Sequence, residues 1–250
     1  MKETDAIFAE LKQRHDAAAA DPDAVRVSYD AKAAVKVGPF SRGGYSRTGT
    51  QAADHDFKAV ANLTPAGVFE PATDRLDLTF TRGKVTADLI ADVIEGWWDR
   101  HRERLLGKKR LLVDLDNGPE NQSRRSQFLL RMILLAQRER ITVQLCYYPP
   151  YHSKYNPIER CWGILENHWR GELLSSEGAV LGYAGSMTYN GVRPRVGLSE
   201  KEYPGGVKLT AAGLDPLEKF VQRQPGLRKW FVTIPPPSPD LVINPARLIP

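Results

Sequence analysis

Two apolar runs joined by a helical pattern constrain this chain most. RLLVDLDNGP (110–119) is apolar up to two acids near its end and stops at Gly-Pro. ITVQLCYYPP (141–150) has the same form and stops at Pro-Pro. Between them Ser123 caps a helical stripe of Phe128, Leu129, Met132, Ile133 and Ala136. Strand, helix, strand predicts a parallel crossover, and so an α/β sheet covered by helices.

The pattern extends in both directions. Residues 1–20 form a polar, Ala-rich helix with a weak apolar stripe of Ile7, Phe8 and Leu11, broken at DPDA. VRVSYD (25–30) alternates apolar and polar residues as a strand does. AKAAVKVGPFSRGGYSRTG is a strand tail or hairpin running into a loop. KAVANLTPAGVFEP (58–71) and RLDLTFTRG (75–83) are two further strands, the succession suggesting an antiparallel meander. Thr86 caps a helix with Leu89, Ile90, Val93, Ile94, Trp97 and Trp98 inward, expected to end near Gly107.

After the Pro-Pro stop, Asn156 is a favoured N-cap and Pro157 suits the first helical position. Glu159, three residues after the cap, is placed to close a capping box. Ile158, Cys161, Trp162, Leu165 and Trp169 turn inward. Beyond Gly178 the pattern weakens, with a helix expected at 215–224 and an extended segment at 227–234. The resulting division is a helix and linker over 1–24, a sheet-and-helix core over 25–178, an extension over 179–235 and a disordered Pro-rich tail over 236–250.

Composition excludes several classes. No apolar run is long enough to span a bilayer and the amino end lacks a signal-peptide pattern. Two cysteines, Cys146 and Cys161, make neither a disulfide framework nor a metal-ligand pattern. A soluble, cytoplasmic protein is expected. A net charge of +5 and a pI of about 9.2 are compatible with a polyanionic partner without identifying one. Basic residues cluster at Arg100, Arg102 and Arg104, at Lys108, Lys109 and Arg110, and at Arg124 and Arg125.

Three acids stand at element ends. Asp30 closes the first strand, Asp116 the fourth, and Glu159 opens the last core helix. If the first and fourth strands are neighbours, all three carboxylates converge on one sheet edge, where open α/β sheets place their sites. Carboxylates gathered there repel unless a cation joins them, and hard oxygen donors suit Mg²⁺ or Mn²⁺. Two such ions can clamp both sides of an in-line phosphoryl displacement. Taken singly, each aspartate is as well explained by capping a loop. Asp114 shares a strand face with Asp116 but lies one step deeper. Asp54, His55 and Asp56 form a tight cluster for which an ordering role in a loop is expected.

VSYDAKAAVKVGPFSRGG, ADHDF, LDNGPENQSRR and YYPPYHSKYNPIERCWGILENHW resemble the catalytic domain of the Rhodopirellula-type DDE transposases of bacterial insertion sequences, relatives of the mariner-like group. The resemblance implies a ribonuclease-H-like mixed sheet: three antiparallel strands, then alternating helix and strand, with helices on both faces. It implies that Asp30, Asp116 and Glu159 are the catalytic, metal-holding acids, with two Mg²⁺ or Mn²⁺ ions. Asn117 would orient Asp116. Arg42, Arg124, Arg125, His152 and Lys154 are candidate DNA contacts. DNA is the expected partner, as transposon ends and target, and a homo-oligomer is compatible. Only about two dozen residues precede the first strand, too few for the helix-turn-helix reader such enzymes carry. The expectation is therefore a catalytic domain without its reader. A non-catalytic DNA-binding or interaction relic is the competing reading. A glycosidase built on Asp116 and Glu159 is a distant third, since the tryptophans lie on apolar helical stripes.

Overall fold

The structure is a computed structural model that describes residues 3–46, 49, 51–52, 58–207 and 217–236. The chain divides into two compact units, one of residues 1–29, 86–156 and 204–250 and one of residues 30–85 and 157–203. No described helix is long and apolar enough to cross a membrane.

The first unit contains the crossover that the two apolar runs demand. Strand β1 (Ala24–Ala31) pairs in parallel with β5 (Arg110–Asp116), Ser28 level with Asp114. β5 pairs in parallel with β6 (Thr142–Tyr148), Asp116 level with Tyr148. β9 (Phe231–Ile234) and the two-residue β8 (Gln222–Arg223) extend the sheet antiparallel from β6. Three helices cover it: α1 (Glu3–Ala20), α2 (Ala87–Arg100) and α3 (Ser126–Glu139). Consecutive strand residues face opposite sides. Tyr148 meets Phe8 of α1, with ring centroids 6.5 Å apart, while the Tyr147 hydroxyl donates to the Asn121 carbonyl at 2.8 Å in the segment leading into α3. Both faces are therefore covered, which is why β5 is apolar on each.

Helix α1 is fastened chemically as well as by packing. Ile7 and Leu11 are buried, and the Trp230 indole donates to Glu3 at 2.8 Å. His15 Nε2 lies 2.8 Å from Asp114 Oδ1, and Arg26 donates to the other oxygen of the same carboxylate. Asp114 is fully buried, so two basic partners are what keep a charge there tolerable. Its role is to tie α1 to β1 and β5.

The second unit holds the antiparallel part. β2 (Val35–Val37) pairs with β3 (Ala61–Glu70), which pairs with β4 (Arg75–Thr81), and β7 (Arg195–Ser199) joins β4 in parallel. Helices α4 (Glu159–Trp169) and α5 (Glu177–Ser186) pack into a core with Leu63, Phe69, Leu78, Phe80, Trp162 and Trp169. Gly67 in β3 faces Ile158, which precedes α4, and Trp162 in its first turn. A Cβ there would lie 2.8 Å from Ile158 Cδ1 and 3.0 Å from the Trp162 ring. Glycine leaves room for both side chains against the strand.

The mixed α/β architecture with a mixed sheet is the expected one, with local departures. Thr86 caps α2 as expected, accepting from the Leu89 N–H at 3.3 Å, but the helix ends at Arg100 and turns carry the chain to Gly107. α3 starts at Ser126, with Arg125 in the cap position and Ser123 buried ahead of it. Of the helix expected at 215–224, residues 217–218 are helical, whereas Gln222–Arg223 is a strand, because it pairs with β9. α5 and β7 went unread. α5 is built of small and apolar residues without a stripe, and its one legible signal is Ser176, which accepts from the Ala179 N–H. Residues 237–250 of the expected tail lie outside the described residues.

Cys146 and Cys161 are free thiols, both buried. Burial pushes Cys146 up, with the Asp114 charge adding to it, and pushes Cys161 up to about 12. Native thiols should therefore react with a disulfide reagent at pH 8 on the order of 10³-fold more slowly than a free cysteine. Both should titrate once the chain is denatured, and fast titration of either in the native protein would contradict this packing.

Candidate active site

Asn156 sets the geometry around Asp116 within the first unit. Its side chain is fully buried. The amide nitrogen donates to the Tyr29 carbonyl at 3.2 Å and to Asp116 Oδ1 at 3.3 Å, while the Ser28 hydroxyl donates to its oxygen. The orientation is fixed by chemistry, since a carbonyl and a carboxylate only accept and so must face the NH₂. Asn156 thus pins the ends of β1 and β5 together and holds Asp116 at the tip of its strand.

Asn156 is not the helix cap that the motif suggested. A short 3₁₀ turn, Ser153–Tyr155, precedes it, and its backbone N–H donates to the Ser153 carbonyl at 2.7 Å. That donor is spent on the turn before it. Pro157 and Ile158 form a turn, Ile158 takes the cap position without a side-chain bond, and Glu159 opens α4. Burial explains the difference: inside the sheet edge an amide with three partners is worth more than one in a solvated cap.

Within the second unit, Trp162 holds Asp30. The indole Nε1 donates to Asp30 Oδ2 at 2.7 Å. Burial pushes the Asp30 carboxyl above the usual aspartate range, against the pull of the Trp162 N–H, the Ala31 backbone N–H and Lys32. Glu159 lies three residues before Trp162 on α4, so the two are neighbours on the helix surface. Trp162 was legible in the sequence only as core; its indole N–H is the polar handle that gives it a second task.

The other candidates are placed less simply. Asn117 is exposed, and the amide that touches Asp116 is that of Asn156. Arg42 is committed within the second unit: it donates to both Glu166 oxygens, at 3.0 and 3.3 Å, and its guanidinium lies 4.8 Å from the Trp169 ring centroid. Burial pushes Glu166 up, but donation from Trp169 and Arg42 outweighs it and holds the carboxyl below its ordinary range. Arg125 pairs with Glu120 at 3.0 Å, and Arg124 is exposed. His152 Nδ1 lies 2.8 Å from the Pro150 carbonyl, and the ring stacks with Tyr155. Lys154 lies over Tyr155 at 5.2 Å and is exposed. Asp54, His55 and Asp56 lie outside the described residues. Among the described residues, no three acid, histidine or cysteine side chains already stand together as a metal cage.

Residues 1–236 match the family described as the Rhodopirellula transposase DDE domain. A comparison with curated proteins finds no match. Among solved structures the chain is similar to a Mos1 transposase paired-end complex with the left transposon end, at 13% identity and a TM-score of 0.48, covering 72% of this chain and 52% of that one. It is also similar to a Mos1 mariner paired-end complex with Mn, at 12% identity and a TM-score of 0.49, covering 73% and 52%. The chain thus spans about half the length of these Mos1 chains.

Proposed function

The chain belongs to the Rhodopirellula transposase DDE-domain family, and from that premise we propose that it catalyses divalent-metal-dependent cleavage and transfer of DNA strands. Asp30, Asp116 and Glu159 are the proposed metal-holding acids and transposon-end and target DNA the proposed substrates. The observation that carries the reading is the separate fastening of two of these acids, Asp116 by the buried amide of Asn156 and Asp30 by the indole of Trp162. Neither fastening is needed by a residue that merely ends a strand.

The donor set suits Mg²⁺ or Mn²⁺, since the three proposed ligands are all carboxylates and so supply hard oxygen donors. It is a set of positions and chemistry, not a preformed cage. When bound, one or two such ions would activate the attacking water or 3′-hydroxyl and offset charge on the leaving oxygen. The chain's own part is to hold the carboxylates. Asn156 fixes the rotamer of Asp116 and seals the β1–β5 edge against water. Trp162 orients Asp30 through one oxygen, and the first turn of α4 carries Glu159.

The test is a cleavage and joining assay on duplex DNA bearing the ends of the parent element. Turnover is expected with Mn²⁺ or Mg²⁺, lost with a chelator and restored by excess metal. Salt-dependent DNA binding with no turnover in either metal would overturn the enzyme reading and leave a binding module in its place.

A further inference from the structure

We propose that the sheet end carrying Asp116 in the first unit also carries a groove for the phosphate backbone of duplex DNA, with Arg124, Arg228 and Lys229 as its contact residues. The proposal rests on the DNA-transferase reading. A groove of about 410 Å³ is lined by Ser123, Arg124, Glu218, Arg223, Arg228 and Lys229. Four cations face one carboxylate there.

The groove lies on the proposed catalytic side of the sheet. The Tyr147 N–H donates to the Trp230 carbonyl at 2.9 Å, so the turn holding Arg228 and Lys229 closes against the end of β6. That end is level with Asp116 on β5. The segment holding Ser123 and Arg124 leaves β5 directly after Asp116.

The cations divide into one staple and three that remain available. Arg223 has a side chain only 8% exposed and donates to both Glu218 oxygens, to the Arg228 carbonyl and to the Ser123 carbonyl. It neutralises the one acid and locks the short strand β8 to the loop after β5. Arg124, Arg228 and Lys229 are exposed, and none is in an ion pair among the described residues. They border one open groove from two separate chain segments, Arg124 from the loop after β5 and Arg228 and Lys229 from the turn before β9. That suits a row of phosphates better than one small anion.

The experiment is the salt dependence of duplex binding by the full chain, with Arg124→Gln, Arg228→Gln and Lys229→Gln singly and together. Each lost phosphate contact should lower the magnitude of the log–log salt slope by about 0.9, so about 2–3 for the triple variant, equally for any DNA sequence. Lys109→Gln, just before β5 begins and so at its other end, is the charge-matched control and should leave the slope unchanged. The single variants alter exposed side chains and keep the test readable if the triple variant melts early. An unchanged slope in the groove variants, or an equal fall in the control, overturns the groove while leaving the transferase reading standing. A wild-type chain that binds no duplex at any salt overturns both.

Discussion

Asp116→Asn should abolish metal-dependent strand cleavage while leaving the fold nearly intact. The substitution preserves shape, and the side chain is only half-buried at a strand tip. What it removes is negative charge and one hard oxygen donor, which an amide replaces poorly for a divalent cation. A loss of about 10³-fold or more in turnover is expected, equal to about 4 kcal/mol of transition-state stabilisation. The thermal midpoint should stay within a few degrees of wild type. The substituted amide can still present its oxygen to Asn156, so that contact survives. Cleavage retained at wild-type rate would remove Asp116 from the site and with it the metal-holding assignment. Asp30→Asn and Glu159→Gln should give the same loss of turnover, since the proposed chemistry needs all three carboxylates.

Asn156→Ala should cost both stability and activity. The truncation strips the Tyr29 carbonyl and the Ser28 hydroxyl of a buried partner at once. Each buried hydrogen bond lost here costs on the order of 1 kcal/mol and the cavity left by the side chain adds to it, so a total of about 2–4 kcal/mol is expected. In a chain of this size that lowers the midpoint by about 5–15 °C. Turnover should fall as well, because Asp116 loses the donor that sets its orientation. Asn156→Asp separates the two effects. It keeps the volume and can still meet Ser28, but it sets a second carboxylate against Asp116 and the Tyr29 carbonyl. That variant should be destabilised at neutral pH, where two carboxylates face each other, and partly relieved as acid protonates one of them. An Asn156→Ala protein that melts with wild type would show that this amide is not what joins the two strands.

The element order and the candidate acids were legible because they depend on local rules. Apolar runs bounded by Gly-Pro and Pro-Pro name the buried strands β5 and β6 wherever they pack. Thr86 caps α2 through a bond to a residue three positions away, so its signal is complete within the sequence. Asp30, Asp116 and Glu159 were selected by their place at element ends and by the motifs around them.

The structure decided what depends on distant partners. Asn156 looked like a cap because the local rule favours it, but its amide meets Ser28, Tyr29 and Asp116, far away in sequence. Asp114 and Asp116 are two residues apart and chemically identical. Burial and the approach of His15 and Arg26 make one a structural anchor and leave the other at the strand tip. Arg42 read as a candidate DNA contact, and the structure pairs it with Glu166 and sets it over Trp169. Trp162 read as core until its N–H met Asp30. Period and punctuation along the chain determine which residues form strands and helices, because those signals are satisfied by near neighbours. The task of a polar side chain is set by whichever donor, acceptor or charge folding brings to it, and that only the tertiary structure could decide.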